Sequence, residues 1–105
     1  MGQAPRTLSW TAAALDDLVS ALEDLAEHAA GSEVGLYEDA MAAAGSLTTL
    51  SERGRWVPEL RDRRTREIFV RDYRLVYEVD AESIAIVAFV SGRRDFATWW
   101  QERDG

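Results

Sequence analysis

Three apolar runs lie close together in the second half of the chain. Ile68, Phe69 and Val70 form a short run, Tyr73, Leu75, Tyr77 and Val79 alternate with Arg74, Val76 and Glu78, and Ile84 to Val90 is apolar almost without a break. The period-two alternation predicts a strand with one face on an apolar layer. The unbroken run predicts a central strand covered on both faces or nearly so. Arg71-Asp72 and Asp80-Ala81-Glu82-Ser83 are polar interruptions suited to hairpin turns, so the stretch predicts a three-stranded meander.

Upstream the period changes. Leu15, Leu18, Val19, Leu22, Leu25, Ala26 and Ala29 recur at three and four residues, which predicts one apolar stripe on a helix beginning near Thr11. Ser9 or Thr11 can cap it, and Asp16 and Asp17 fall in its early turns, where carboxylates suit the helix dipole. Gly31 is placed to end it in the left-handed conformation and Ser32 to cap a second helix, from about Glu33 to Leu50. Val34, Tyr37, Ala40 or Met41, Ala44 and Leu47 form the expected buried face of that helix. So short a link predicts an antiparallel helical hairpin, and Ala40, Ala42, Ala43 and Ala44 let its helices approach closely.

The flanking segments carry weaker signals. Met1 to Arg6 is polar and expected to fray, and Thr7-Leu8-Ser9-Trp10 alternates as a short strand whose sheet partner the sequence leaves open. Ser51 to Asp62, with Gly54, Trp56 and Pro58, reads as an irregular connector anchored by Trp56. Ser91-Gly92-Arg93-Arg94-Asp95 breaks the last strand. Phe96, Trp99 and Trp100 then follow in a short helix running to Gly105, where Phe96 with Trp99 or Trp100 has the spacing of one face, and these aromatics are expected to pack the end of the sheet.

A chain of 105 residues predicts one domain with a single core. It has no Cys, which rules out disulfides and thiolate metal sites and suits a reducing cytosol. There is no signal-peptide pattern, and no apolar run approaches the roughly 20 residues that span a bilayer, so a soluble, cytoplasmic protein without membrane contact is expected. Charge is unevenly distributed. Residues 1–50 hold one Arg against eight acids, whereas residues 51–105 hold eleven Arg against eleven acids, and the chain has no Lys. Eight of the arginines (53, 55, 61, 63, 64, 66, 71 and 74) lie in one stretch beside four acids. A locally basic surface is therefore possible on a chain whose net charge is -7, although that net charge opposes tight, sequence-independent phosphate binding.

Catalytic constellations are scarce. His28 is the single histidine, late in the first helix, where a cation suits the C-terminal dipole. With no Cys and one His, metal clusters and nucleophilic triads are excluded, so neither a metal nor another cofactor is expected. The pairs Asp16-Asp17, Glu23-Asp24 and Glu38-Asp39 are adjacent on helices and are expected to splay over exposed faces. What remains is an arginine set, Arg74, Arg93 and Arg94, which neighbouring strands about 5 Å apart can bring near one another.

The segments YRLVYEV at 73–79 and IAIVAFVSGRRDF at 84–96, behind a helical hairpin and the connector GRWVPEL at 54–60, closely resemble the RelE/ParE superfamily of bacterial type II toxins. The resemblance covers nearly the whole chain, and the connector looks like the ParE branch in particular. It implies a single α+β toxin domain over residues 1–105. An N-terminal strand and helical hairpin would pack on a curved, mostly antiparallel sheet in the order β-α-α-β-β-β, with a short C-terminal helix after it.

The resemblance also divides the expected activity. RelE-like members cleave mRNA on the ribosome with basic residues on the sheet, and ParE-like members are associated with poisoning DNA gyrase. Arg74 matches the RelE-like strand arginine and Arg94 the arginine after the Gly turn. The rest departs: Glu67 would repel a scissile phosphate, Lys is absent, and the C-terminal Tyr or His position falls near Trp99 or Trp100, which carry no proton for acid catalysis. A gyrase inhibitor acting by protein contact, more plausibly no enzyme, is the expectation. The alternatives are a ribosome-dependent endoribonuclease using Arg74 and Arg94, and a non-toxic relic that binds antitoxin in operon repression. A cognate antitoxin in a hetero-oligomer is the implied partner, with Arg55, Arg61, Arg93 and Trp99 as antitoxin or target contacts.

Overall fold

The computed structural model describes residues 4–103. Its order is β1 (Thr7–Trp10), α1 (Ala12–His28), α2 (Ser32–Ser46), β2 (Arg55–Trp56), β3 (Thr65–Val70), β4 (Tyr73–Val79), β5 (Ser83–Ser91) and α3 (Phe96–Arg103). The strands form one sheet in the order β1-β5-β4-β3-β2, with β1 parallel to β5 and every other pair antiparallel. This is the expected α+β arrangement, with β2 a short added strand inside the stretch read as an irregular connector and with the partner of β1 fixed as β5.

Thr11 caps α1, its hydroxyl accepting from the Ala14 N–H at 3.1 Å. α2 begins after Gly31, whose φ of +94° is the left-handed conformation, but Ser32 makes no capping bond. Instead the Glu33 carboxylate accepts from the Gly31 N–H at 2.7 Å. α2 also ends at Ser46 and not Leu50, where Leu47 turns back with bonds to Ala44 and Gly45. Arg6 does not fray: its N–H bonds Thr48, and its guanidinium bonds the Asp80 carbonyl and the Ser51 hydroxyl. Residues 1–3, and the expected helix end at Gly105, lie outside the described residues.

The sheet separates two apolar layers. On one face Ala14, Leu18 and Ala21 of α1 and Leu36, Ala40 and Ala44 of α2 meet Ile68, Val70, Leu75, Tyr77, Ile84, Ile86 and Phe89. On the other, Val57 and Phe96 meet Val76, Ala88 and Val90, with Leu60, Trp99 and Trp100 at the border. Small residues in the helix stripes bring the hairpin close to the sheet and narrow the buried strip. Leu15, Val19, Val34 and Tyr37, expected inside, are therefore exposed. The connector likewise is held by buried Val57, while Trp56 remains 40% exposed with the Arg66 guanidinium 3.9 Å from its ring centroid.

A β-bulge reconciles the unbroken apolar run with this two-sided burial. Val76 pairs with Ala88 but Tyr77 with Ile86, so Val87 is the extra residue and the inward parity changes from Ile84 and Ile86 to Phe89. Beyond Ile86, β1 has ended and the outer edge of β5 is capped by side chains. The Phe89 N–H donates to Asp17 at 3.1 Å, and Arg103 donates to the Val87 carbonyl at 2.9 Å and to Asp17 at 2.8 Å. One acid of the expected exposed pair, Asp17, is thus half-buried, and it locks α1, β5 and α3 together.

Burial raises the pKa of Asp17, against the opposing pull of the Phe89 N–H and Arg103. A carboxylate whose folded pKa is raised favours the fold at low pH and loses that contribution as pH rises through the folded value. Arg103→Ala should cost about 2–3 kcal/mol at neutral pH by leaving Asp17 unpaired. The loss should be smaller in acid, where Asp17 takes up a proton; urea unfolding at both pH values measures the difference. Equal losses would mean that Arg103 acts by packing on Trp99 alone.

Candidate functional site

The sheet face opposite the hairpin carries an ionic cluster with a buried centre, Glu67 and Arg74, and two outer members, Arg55 and Glu59, that reach solvent. Glu67 on β3 is 1% exposed and stands in register with Arg55 on β2, whose Nε donates to Glu67 Oε2 at 2.7 Å. Arg74 on β4, also buried, places Nε 2.9 Å from Glu67 Oε1. That approach is an ion contact off the N–H axis, so Oε1 has no aligned hydrogen bond. The second amino group of Arg74 donates to both oxygens of Glu59, at 3.0 and 3.2 Å, and Phe96 of α3 lies 4.5 Å from its guanidinium. Two arginines and two carboxylates balance charge beneath an aromatic lid.

Gly54 explains how the connector reaches this cluster. A Cβ there would fall 2.5 Å from the Tyr77 hydroxyl and 2.7 Å from the Glu67 carbonyl, so only glycine fits. The Gly54 N–H donates to the Tyr77 oxygen, which in turn donates to the Ser51 carbonyl. Burial raises the Tyr77 pKa and keeps the phenol protonated as that donor.

The sequence-predicted arginines do not converge. Arg74 is inside the cluster, stacked on Phe96 and not on the flanking tyrosines, whereas Arg94 is exposed and lines a separate cleft of about 270 Å³ with Asp17, Asp24, Tyr73, Phe89 and Trp99. Arg93 is exposed on the same turn, and Arg61 is exposed in the connector at φ +54°. Arg55 is committed to Glu67. Trp99 is half-buried, 4.5 Å from the Arg103 guanidinium. His28 is exposed with Nδ1 2.7 Å from the Asp24 carbonyl. Among the described residues no group of three or more His, Cys, Asp or Glu could hold a metal, and no helix is long and apolar enough to cross a membrane.

Sequence reasoning missed the partners Glu59, Glu67, Asp17 and Arg103 as a set. One signal was present for Glu67: it alternates with Ile68 and Val70 against the helix-facing side, two positions from Phe69. A carboxylate at an inner strand position demands a buried cation.

Residues 8–96 match the family model described as "ParE toxin of type II toxin-antitoxin system, parDE". No curated protein matches the sequence. Among solved structures, a chain of the "Chromosomal ParDE TA system from P. aeruginosa" superposes with a TM-score of 0.70 at 16% identity, over 82% of this chain and 95% of that one. At that identity the likeness is one of fold.

Removing one partner from the cluster strands a buried charge. Arg74→Ala should cost about 3–5 kcal/mol, read as a drop in the urea midpoint. Burial pushes Glu59 upward, but hydrogen bonding and attraction from Arg74 prevail and hold its pKa below the usual value. Its stabilising effect is therefore present above the ordinary carboxylate pKa and lost as pH falls through the lowered folded value. Since Glu59 is about one-third exposed, Glu59→Gln should cost less than about 1 kcal/mol at neutral pH and flatten the acid limb of the stability curve. An unchanged acid limb would assign the acid sensitivity to other carboxylates.

Proposed function

The chain belongs to the ParE toxin family of type II toxin-antitoxin systems, and from that premise we propose that it inhibits DNA gyrase by protein contact and is neutralised by a cognate antitoxin. One observation carries the choice of target. The strand arginine that a sheet-face nuclease would turn towards a phosphate, Arg74, is already neutralised by Glu59 and Glu67 under Phe96.

A nuclease reading would need that guanidinium released, because phosphate competes poorly for a cation already paired in a water-poor site. It would also need a proton donor. Arg94 lies in another cleft, the only imidazole is exposed at the end of α1, and the indoles beside the cluster have no proton to give at neutral pH. Inhibition by contact needs none of these groups. It needs an exposed surface, which the apolar residues Leu15, Val19, Val34 and Tyr37 and the arginine turns supply.

Neutralisation follows the same physics. An antitoxin segment ordering over this surface would cover apolar area that none of the described elements covers, and Arg61 and Arg93, which have no ion pair among the described residues, would pair with its acids. Arg61→Ala with Arg93→Ala should weaken antitoxin binding by about three- to tenfold, mainly at low salt. Calorimetric titration that finds equal affinity at low and high salt would remove the two arginines from the interface.

The purified chain should inhibit supercoiling by gyrase and leave mRNA whole in a translation mixture. Cut mRNA with unimpaired gyrase would transfer the chain to the endoribonuclease class. Neither effect, with no growth arrest on induction, would leave antitoxin binding and operon repression as its role.

A further inference from the structure

A second cleft, of about 550 Å³, opens at the opposite end of the sheet from the arginine turn after β5. Trp56, Arg63, Arg64 and Arg66 line it with the carboxylates Glu52 and Glu78. Nothing in the toxin reading uses these groups.

Its cationic wall is held in place and only partly spent. Asp62 turns inward, accepting from the N–H groups of Arg64 and Thr65 and from the Thr65 hydroxyl. The residues on either side, Arg61 and Arg63, adopt left-handed φ of +54° and +53°, and both are exposed. Arg63 has no ion pair among the described residues. Arg64 has one distant contact, 4.0 Å from Glu78, and is 74% exposed. Arg66 is fixed, bonding the Gly54 carbonyl at 2.7 Å and stacking on Trp56. The facing acids differ in availability. Asp80 also lines the cleft, but its carboxylate accepts from the N–H groups of Glu82 and Ser83 in its own turn. Glu52 and Glu78 form no other side-chain bond among the described residues.

The combination selects a ligand chemistry. A free anion would be drawn by Arg63 and Arg64 but repelled by Glu52 and Glu78, and an acidic peptide would meet the same repulsion along its length. A ligand that suits both walls carries an anion at one end and hydrogen-bond donors at the other, with a flat apolar face between them for the indole. A nucleotide has these three parts, since phosphate pairs with arginine, bases stack on aromatic and guanidinium planes, and base amino groups donate to carboxylates. The cleft volume falls within the roughly 300–1,000 Å³ of small-ligand sites.

We propose that this cleft binds a nucleotide, its phosphate on Arg63 and Arg64, its base against the Trp56–Arg66 stack, and a base amino group on Glu78. Either a free mononucleotide or an exposed nucleotide of a single strand presents that chemistry. The site lies apart from the ionic cluster, so binding here is independent of whether gyrase is the target.

The test follows the indole N–H of Trp56 by NMR in the full-length chain, assigned with Trp56→Phe, as ligands are added. GMP should shift it at low millimolar concentration or below, and ribose 5-phosphate should bind about tenfold more weakly for want of a base. Arg63→Ala with Arg64→Ala should weaken GMP by about tenfold or more. Glu78→Leu, which removes the acceptor, should narrow the preference for GMP over IMP, which has the same fused ring without the amino group. A short single-stranded oligonucleotide binding more tightly than GMP would identify a strand as the source, and equal affinity a free nucleotide. The proposal is overturned if no nucleotide moves Trp56, if ribose 5-phosphate binds as well as GMP, if the double arginine variant binds unchanged, or if hexaglutamate displaces GMP.

Discussion

Glu67 is a carboxylate with no water to solvate it, and the far half of the fold is arranged around matching its charge. Such a group must be met by cations at short range or it destabilises the fold by several kcal/mol. Arg55 stands directly opposite on β2, and Arg74 is the diagonal neighbour on β4, two positions along from Val76, which faces Glu67. Two arginines on one carboxylate leave an excess positive charge, which Glu59 of the connector offsets. The connector is therefore bound at both ends, by Glu59 on Arg74 and by Gly54 under Tyr77. β2 is two residues long and could not hold its place by ladder bonds alone.

The same demand sets the position of α3. A salt-bridged cluster open to solvent contributes little, because water screens it. Phe96 over the Arg74 guanidinium, continued by the Phe96–Trp100 stack at 5.4 Å, covers the buried Arg74 side of the cluster with a hydrocarbon layer. The far end of α3 meets the other problem of the sheet, the edge of β5 left bare where β1 ends. Arg103 and Asp17 supply there the donor and the acceptor that a neighbouring strand would have supplied. One eight-residue helix thus lids the cluster at its start and closes an edge at its end.

The parts of this architecture that depend on local period were legible in the sequence. Strand β4 lies where its alternation places it, although Arg74 and Val76 on its second face are buried as well, the Arg71-Asp72 and Asp80–Ser83 turns fall where polar residues interrupt the run, and Thr11 caps α1 as its side chain allows. What depends on distance between elements was not. The shift in parity at Val87 is invisible in a run where every residue is apolar. The width of the buried strip on the hairpin is set by how closely Ala14, Ala21, Ala40 and Ala44 let it approach, so Leu15 and Tyr37 read as core from spacing and stand outside. Trp56 has the size of an anchor, yet its smaller neighbour Val57 points inward, because strand alternation allows only one of the two to do so. The candidate site was half-legible in the same sense. Arg74 stood out by motif, but the carboxylates that neutralise it come from a connector and another strand, and no sequence spacing encodes that meeting.

Charge divides the molecule in a way that constrains any partner. The hairpin from Ala12 to Ser46 has eight carboxylates and no Arg or Lys, and among the described residues only Asp17 and Asp39 have ion pairs, with Arg103 and Arg71. Its exposed apolar residues therefore lie in a negative field. A chain docking along that face must bring its own cations or accept like-charge repulsion, while a chain bearing acids is drawn instead to the turns that hold Arg61 and Arg93. Half of the eight arginines in the 53–74 stretch are consumed internally: Arg55 and Arg74 by Glu67 and Glu59, Arg71 by Asp39, and Arg66 by a carbonyl and an indole. The cations left for recognition sit on turns at the margins of the sheet. Contacts made by this protein through charge are therefore peripheral, and those made through apolar burial must be reconciled with an acidic surround.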